Sequence, residues 1–202
     1  MSIYLNPVAK RVKKQPDNVS RLRYLSSAEM DRLLAVCNGP AYAKLYPIIV
    51  CALFTGMRQA EILTLDWKNV DLEHGTIYIL ISKSGKPREV PITSRLREIM
   101  LGISPKPEGR VFEISFMTFR RLFDRLKVES GIAHFRFHDL RHTFASHHYM
   151  NAADLYALQR ILGHASPQMT QRYAHLSRTH IDATMAEFEA GMPVLPASQG
   201  AR

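Results

Sequence analysis

Cysteine is nearly missing from this chain: Cys37 and Cys51 are the two present among 202 residues. They form no C-x-x-C pair and both fall in apolar helical stretches, where a thiol packs as a small hydrophobe. A disulfide framework and a thiolate zinc site are therefore excluded. Long apolar runs are lacking as well. The longest, Leu45 to Phe54, has ten residues, against the roughly 18 or more that a bilayer-crossing helix requires. The opening Met1-Ser2-Ile3-Tyr4-Leu5-Asn6-Pro7 has neither an apolar segment nor a small-residue cleavage site, so it does not read as a secretory signal and the protein is expected inside the cell. Acidic residues are too few to balance the bases: 18 Asp and Glu face 27 Lys and Arg, a net charge of +9. That excess favours a polyanionic partner.

With 46% hydrophobic and 22% charged residues, the composition suits one globular domain. Residues 1–23 carry Lys10, Arg11, Lys13, Lys14, Arg21 and Arg23 against the single acid Asp17, interrupted by Pro7 and Pro16, and read as a basic linker or arm. The folded domain is expected over 24–190 and a flexible tail, rich in Pro, Gly and small residues, over 191–202. Ser26-Ser27-Ala28-Glu29 has the pattern of a capping box opening a helix stopped at Asn38-Gly39-Pro40. A largely apolar helix follows through Ile48, Ile49, Leu53 and Phe54, and a third begins near Arg58. Between Val70 and Ile92 the period changes to that of two short strands, Thr76–Ile81 and Arg88–Ile92, joined by a turn holding Lys83 and Lys86. Helical spacing then predicts Thr93–Leu101, Ser115–Ser130, His138–Met150, Asp154–Leu162, Pro167–His175 and Ser177–Ala190. The expected fold is mostly α with a small antiparallel β-sheet, an α+β domain.

Taken one at a time, the polar residues that stand out have ordinary explanations. Arg58 can pair with Glu61 one turn on, Lys83 can be a solvated turn lysine, and His138 and Arg141 share a helix face and can pair with Asp139. His164 follows Gly163 at a helix end, where histidines satisfy free carbonyls. Tyr173 fits an amphipathic helix. Their order is less ordinary: Thr55-Gly56-Met57-Arg58-Gln59-Ala60-Glu61, the lysine hairpin, His138-Asp139-Leu140-Arg141-His142-Thr143-Phe144-Ala145-Ser146, Leu162-Gly163-His164, and Tyr173 nine residues beyond that histidine. Together these blocks, spanning Leu25 to Leu176, resemble the catalytic domain of the tyrosine recombinases of the phage integrase family.

The resemblance implies a site-specific DNA recombinase or integrase of a phage or mobile element that cleaves and rejoins double-stranded DNA through a 3′-phosphotyrosine. It makes Tyr173 the nucleophile, Arg58 and Arg141 the clamp on the scissile phosphate, and Lys83 the general acid for the leaving 5′ oxygen, with Lys86 as a rival in the same turn. His138 takes the position that assists proton transfer, and His164 the one that hydrogen-bonds the phosphate. It places the protein in the cytoplasm of a bacterial or phage-infected cell, at the nucleoid.

The chemistry asks for these residue types on its own account. Guanidinium groups match the paired oxygens of a phosphate under attack in a way lysine cannot. A phenol of pKa about 10 needs a base or a strong positive potential near neutral pH. A phosphotyrosine conserves the phosphodiester bond energy, so no nucleotide cofactor is expected, and fixed cations can supply the charge that a metal otherwise would.

Other features weigh less. His134, His138 and His142 recur every fourth residue with His147-His148 behind them, but His134 precedes the expected helix and no acid has matching spacing, so a metal cluster is not expected. His142 reads as a packing residue or as one that supports the reacting groups from behind. The stripe Phe112, Phe116, Phe119, Leu122, Phe123 and Leu126 reads as helix core. Arg120, Arg121, Arg125 and Lys127 lie on other faces of that helix and suit either DNA phosphates or solvent. Ile181, Met185 and Phe188 form an apolar stripe expected to mediate self-association on DNA, with packing onto its own domain the open alternative. Two alternatives remain open at this point: a type IB topoisomerase-like nicking and closing activity, and a catalytically silent DNA-binding accessory module.

Overall fold

The computed structural model describes residues 22–80, 87–177, 185 and 188–190. The first helix, α1 (Ser27–Cys37), starts where the capping box was expected: the Ser26 hydroxyl accepts from the Glu29 backbone N–H at 3.3 Å, and the Glu29 carboxylate accepts from the Ser26 N–H at 2.9 Å. Leu33 and Cys37 carry its buried side. Removing the cap leaves first-turn amides unsatisfied, so Ser26→Ala is expected to lower stability by about 1 kcal/mol, read as a shift of the urea midpoint.

Helix α2 (Tyr46–Thr55) is buried along nearly its whole length, as an apolar run without a polar face must be. It packs on α3 (Gln59–Leu63), α4 (Ser94–Gly102) and α6 (His138–Ala152) and forms the axis of the domain, while α1 lies against α5 (Phe116–Glu129). The sheet has three antiparallel strands in the order β1 (Val70–Asp71), β2 (Thr76–Ile79) and β3 (Arg88–Pro91), with Ile77 opposite Val90 and Ile79 opposite Arg88. The two expected strands pair antiparallel, and residues 81–86, which hold most of the turn expected between them, lie outside the described residues. Strand β1 has no counterpart in the sequence reading, because two residues are too few to show an alternation. Strand β3 packs on α7 (Leu155–Leu162). The architecture is mostly α with one small antiparallel sheet, as expected.

Two expectations are corrected. The helix predicted over Pro167–His175 is broken: α8 covers Gln168–Gln171, and a 3₁₀ turn occupies Ala174–Ser177. The amide of Tyr173 bonds to the Thr170 carbonyl at 3.0 Å and that of Leu176 to the Tyr173 carbonyl at 3.0 Å, a three-residue tightening. The tightened chain carries Tyr173 into a small apolar cluster with Ala145, Tyr149, Leu158 and Leu162, apart from the main core. The aromatic stripe of α5 is core only in part. Phe119, Phe123 and Leu126 are buried, whereas Phe116, the first residue of the helix, is exposed. Both cysteines are buried and free. No described helix is long and apolar enough to cross a membrane.

Candidate active site

Arg58 is the residue that opens α3. Its backbone N–H donates to Glu61 Oε2 at 2.8 Å and its Nη1 to Glu61 Oε1 at 2.9 Å, so the one-turn ion pair read from the sequence is real. It is also incomplete. Arg88 on β3 donates to the same carboxylate through Nη1 and Nη2 at 3.0 and 2.6 Å, and through Nε to the Ile161 carbonyl at 2.9 Å. Burial works against the Glu61 charge, but hydrogen bonds from Arg88 and from Arg58 outweigh it and hold the carboxyl below its ordinary value. Arg88 was missed by sequence reasoning. A signal existed: it shares the inward face of β3 with the buried Val90, an unusual place for a cation.

Arg141 sits inside α6 and is 4% exposed. Its Nη1 donates to the Gly56 carbonyl and its Nη2 to the Leu162 carbonyl, each at 2.7 Å. Those carbonyls lie at the C-terminal ends of α2 and α7, where unpaired carbonyls and the negative end of the helix dipole favour a cation. Burial, then the fields of Arg58 and Arg88, lower its pKa to about 10, so it stays charged at neutral pH.

Gly56 and Gly163 both adopt left-handed conformations, at φ +61° and +65°. A Cβ on Gly56 would stand 2.4 Å from Phe144 Cδ1 and 2.7 Å from Leu162 Cδ2. Strain and overpacking add, so Gly56→Ala is expected to destabilise by roughly 2–4 kcal/mol, measurable by chemical denaturation.

His164 follows Gly163 and places Nδ1 2.8 Å from Thr170 Oγ1. Burial, followed by the fields of Arg141, Arg58 and Arg172, pushes its pKa down to about 3. His138, first in α6, still reaches solvent and meets the His142 ring edge-on at 4.8 Å. Partial burial and Arg141 lower its proton affinity too. His142, read from sequence as a packing or supporting residue, touches the tyrosine itself: its Nδ1 lies 2.8 Å from the Tyr173 hydroxyl. Burial, then His138 and Arg172, takes it down to about 4. Tyr173 is 1% exposed. Burial raises its pKa to about 12 against the pull of Arg141 and Arg172.

These shifts link stability to pH. His142 and His164 bind protons in the unfolded chain near pH 6.5 but only near 4 and 3 when folded. The unfolded state therefore holds more protons throughout that window, and stability falls as pH drops from about 6.5 towards 4. Thermal melts from pH 7.5 to 4.5 should show the decline, and His164→Gln should flatten it; an unchanged slope in the variant would contradict the assignment.

Of the residues singled out from sequence, Arg58, His138, His164 and Tyr173 are all brought within electrostatic reach of Arg141. Lys83 and its rival Lys86 lie outside the described residues, as do the basic arm 1–21, Ile181 and the tail 191–202. Among the described residues no three His, Cys, Asp or Glu side chains converge on a common metal position. On α5, Arg120 and Lys127 face Asp124 at 4.0 and 2.7 Å, and Arg125 pairs with Glu129 at 2.6 Å. Acids of the same helix thus offset three of the four cations considered for phosphate contact, Arg121 being the exception.

A family model described as the phage integrase family matches residues 23–180. A putative integrase of Pseudomonas phage Pf1 is 35% identical over 181 residues, which are 90% of this chain and 53% of that protein. The solved catalytic domain of bacteriophage HP1 integrase superimposes with a TM-score of 0.67 at 32% identity, covering 85% of this chain and 98% of that one. XerH recombinase, bound to palindromic difH substrate after cleavage, gives a TM-score of 0.66 at 25% identity over 83% of this chain and 54% of that one. The chain spans about half the length of the curated relatives it matches.

Proposed function

Because the chain belongs to the phage integrase family, we propose that it is the catalytic domain of a site-specific recombinase that cleaves and rejoins double-stranded DNA through a 3′-phosphotyrosine. In this reading Tyr173 attacks the scissile phosphate, Arg58 and Arg141 bind its nonbridging oxygens, His164 adds a hydrogen bond and His138 assists proton transfer. Lys83 protonates the departing 5′ oxygen, in the cytoplasm at the nucleoid.

The observation that carries the reading is the guanidinium of Arg141, fixed by two backbone carbonyls beside Arg58, His164 and Tyr173. A guanidinium has five N–H donors. Two are spent on Gly56 and Leu162, and the remainder are held in a pre-set orientation suited to a trigonal-bipyramidal phosphate, which gains negative charge as the phenol attacks. Glu61 sets Arg58 in the same way, and because it is shared with Arg88 one carboxylate faces two cations, so the site keeps net positive charge. The XerH structure bound to difH supports duplex DNA as the substrate.

The test is to incubate the protein with a pool of nicked duplexes, denature, and recover and sequence whatever DNA remains attached. Adducts joined through a DNA 3′ end and lost in Tyr173→Phe support the reading; binding without adducts overturns it. Adduct yield is expected to persist in EDTA, since the guanidinium groups supply the charge.

Self-association on DNA through the C-terminal helix belongs to the same reading. Met185 and Phe188 are each 58% exposed, consistent with a stripe that finds its cover on a neighbouring subunit. Sedimentation should give a monomer without DNA and a higher species on it. Binding of this chain alone should be roughly micromolar and fall steeply with salt, because a catalytic domain contacts mostly phosphates.

A further inference from the structure

The Tyr173 hydroxyl has a histidine partner other than the one the family resemblance designates for proton transfer. His142 Nδ1, one turn of α6 beyond His138, lies 2.8 Å from the Tyr173 hydroxyl. We infer that His142 is a further catalytic residue: it takes the Tyr173 proton during DNA cleavage and returns it during rejoining, with His138, whose ring meets it edge-on at 4.8 Å, assisting. This rests on Tyr173 being the nucleophile.

The geometry defines the roles. Tyr173 is buried with its ring centroid 6.1 Å from that of His142. A buried phenol needs a partner for its proton, and an imidazole with its own proton on Nε2 presents Nδ1 as an acceptor. The charged and titratable groups around His142 are His138 and Arg141 on its own helix, and Arg172, Tyr173 and His164 from the chain that follows α7. Arg141 and Arg172 are cationic, and together with partial burial they keep His142 neutral and able to accept.

In the resting site the phenol holds its proton far more tightly than the imidazole would, so transfer does not precede attack. It accompanies it. As the Tyr173 oxygen bonds to phosphorus it becomes the bridging oxygen of an aryl ester and loses its basicity, while the phosphodiester brings a negative charge that favours an imidazolium nearby. The Tyr173 O–H proton passes to His142 Nδ1, the new O–P bond forms, and the bond from phosphorus to the 5′ oxygen breaks. That oxygen leaves with its electron pair and collects a proton from the general acid. Rejoining reverses each transfer: the 5′ hydroxyl attacks, and His142 protonates the departing phenolate. Charge and protons balance with no further reactant.

The experiment measures single-turnover cleavage against pH, on a duplex recovered in the adduct selection, for the wild-type chain, His142→Ala, His142→Gln and His138→Ala. A second substrate carries a 5′-bridging sulfur, which leaves without protonation and isolates the attacking side of the reaction. At neutral pH both His142 variants should lose about 10²–10⁴-fold in rate, on either substrate. The loss should shrink as pH rises and hydroxide takes over the proton, and imidazole should partly restore His142→Ala. Glutamine keeps the hydrogen bond but accepts no proton, and thermal melts verify that it folds. A His142→Gln enzyme cleaving at the wild-type rate would overturn the proposal. So would a loss independent of pH and insensitive to imidazole, or rescue confined to His138→Ala. Absence of any Tyr173-dependent adduct from the wild-type chain would instead overturn the recombinase reading beneath it.

Discussion

Tyr173→Phe is expected to remove covalent protein–DNA adducts to below detection while leaving binding to duplex DNA within about twofold, because it deletes one oxygen and keeps the buried ring. The phenyl group still fills the space between Tyr149, Leu158 and Leu162. The His142 Nδ1 loses its partner, a change worth about 1 kcal/mol at a half-buried nitrogen, so the variant should melt close to the wild type. Denaturing gels and filter binding on one preparation read both effects. Adducts of normal yield from the phenylalanine protein would show that another residue attacks the phosphate.

Arg141→Lys should be nearly as damaging to chemistry and far more damaging to the fold. The ammonium preserves the charge but cannot reach two carbonyls on different helices and a phosphate at once. Removing one preorganised donor from a charged transition state typically costs about 10²–10³-fold, and adduct formation should fall by at least that. The Gly56 or Leu162 carbonyl, buried and stripped of its partner, adds a loss of about 2–3 kcal/mol in stability. Comparing cleavage rate with the denaturation midpoint in one variant separates the two effects. A lysine protein with wild-type stability would mean that the carbonyls find other partners and that the clamp is not held as described.

Much of this was readable in the chain because it is local. The capping box at Ser26 and Glu29 spans four positions, and the apolar run of α2 declares its burial by having no polar face. The blocks around Arg58, His138 with Arg141, and His164 with Tyr173 are short strings whose order could be matched. What stayed hidden is long-range pairing between side chains. Nothing in the spacing of Arg88 and Glu61, 27 positions apart, or of His142 and Tyr173, 31 apart, marks them as partners. His142 also sits within a run of histidines whose four-residue spacing points to a metal cluster before it points to a tyrosine. The inward turn of Tyr173 was misread as continuous helix because 3₁₀ tightening leaves the same apolar spacing as an α-helix over so few residues.

The guanidinium of Arg141 closes the ends of two helices as well as carrying the proposed phosphate contact. Engineering inherits that double duty. At Arg58, whose guanidinium rests at the rim on a carboxylate that Arg88 also secures, inactive variants can be made that remain sound proteins, useful for trapping bound DNA. At Arg141 no such separation exists: each replacement is a lesion in the scaffold, and a library screened for activity there is screened unknowingly for survival of the fold. Hardier versions of this domain are better sought among residues remote from the junction of α2 and α7, with Arg141 left as a fixed point around which the rest is varied.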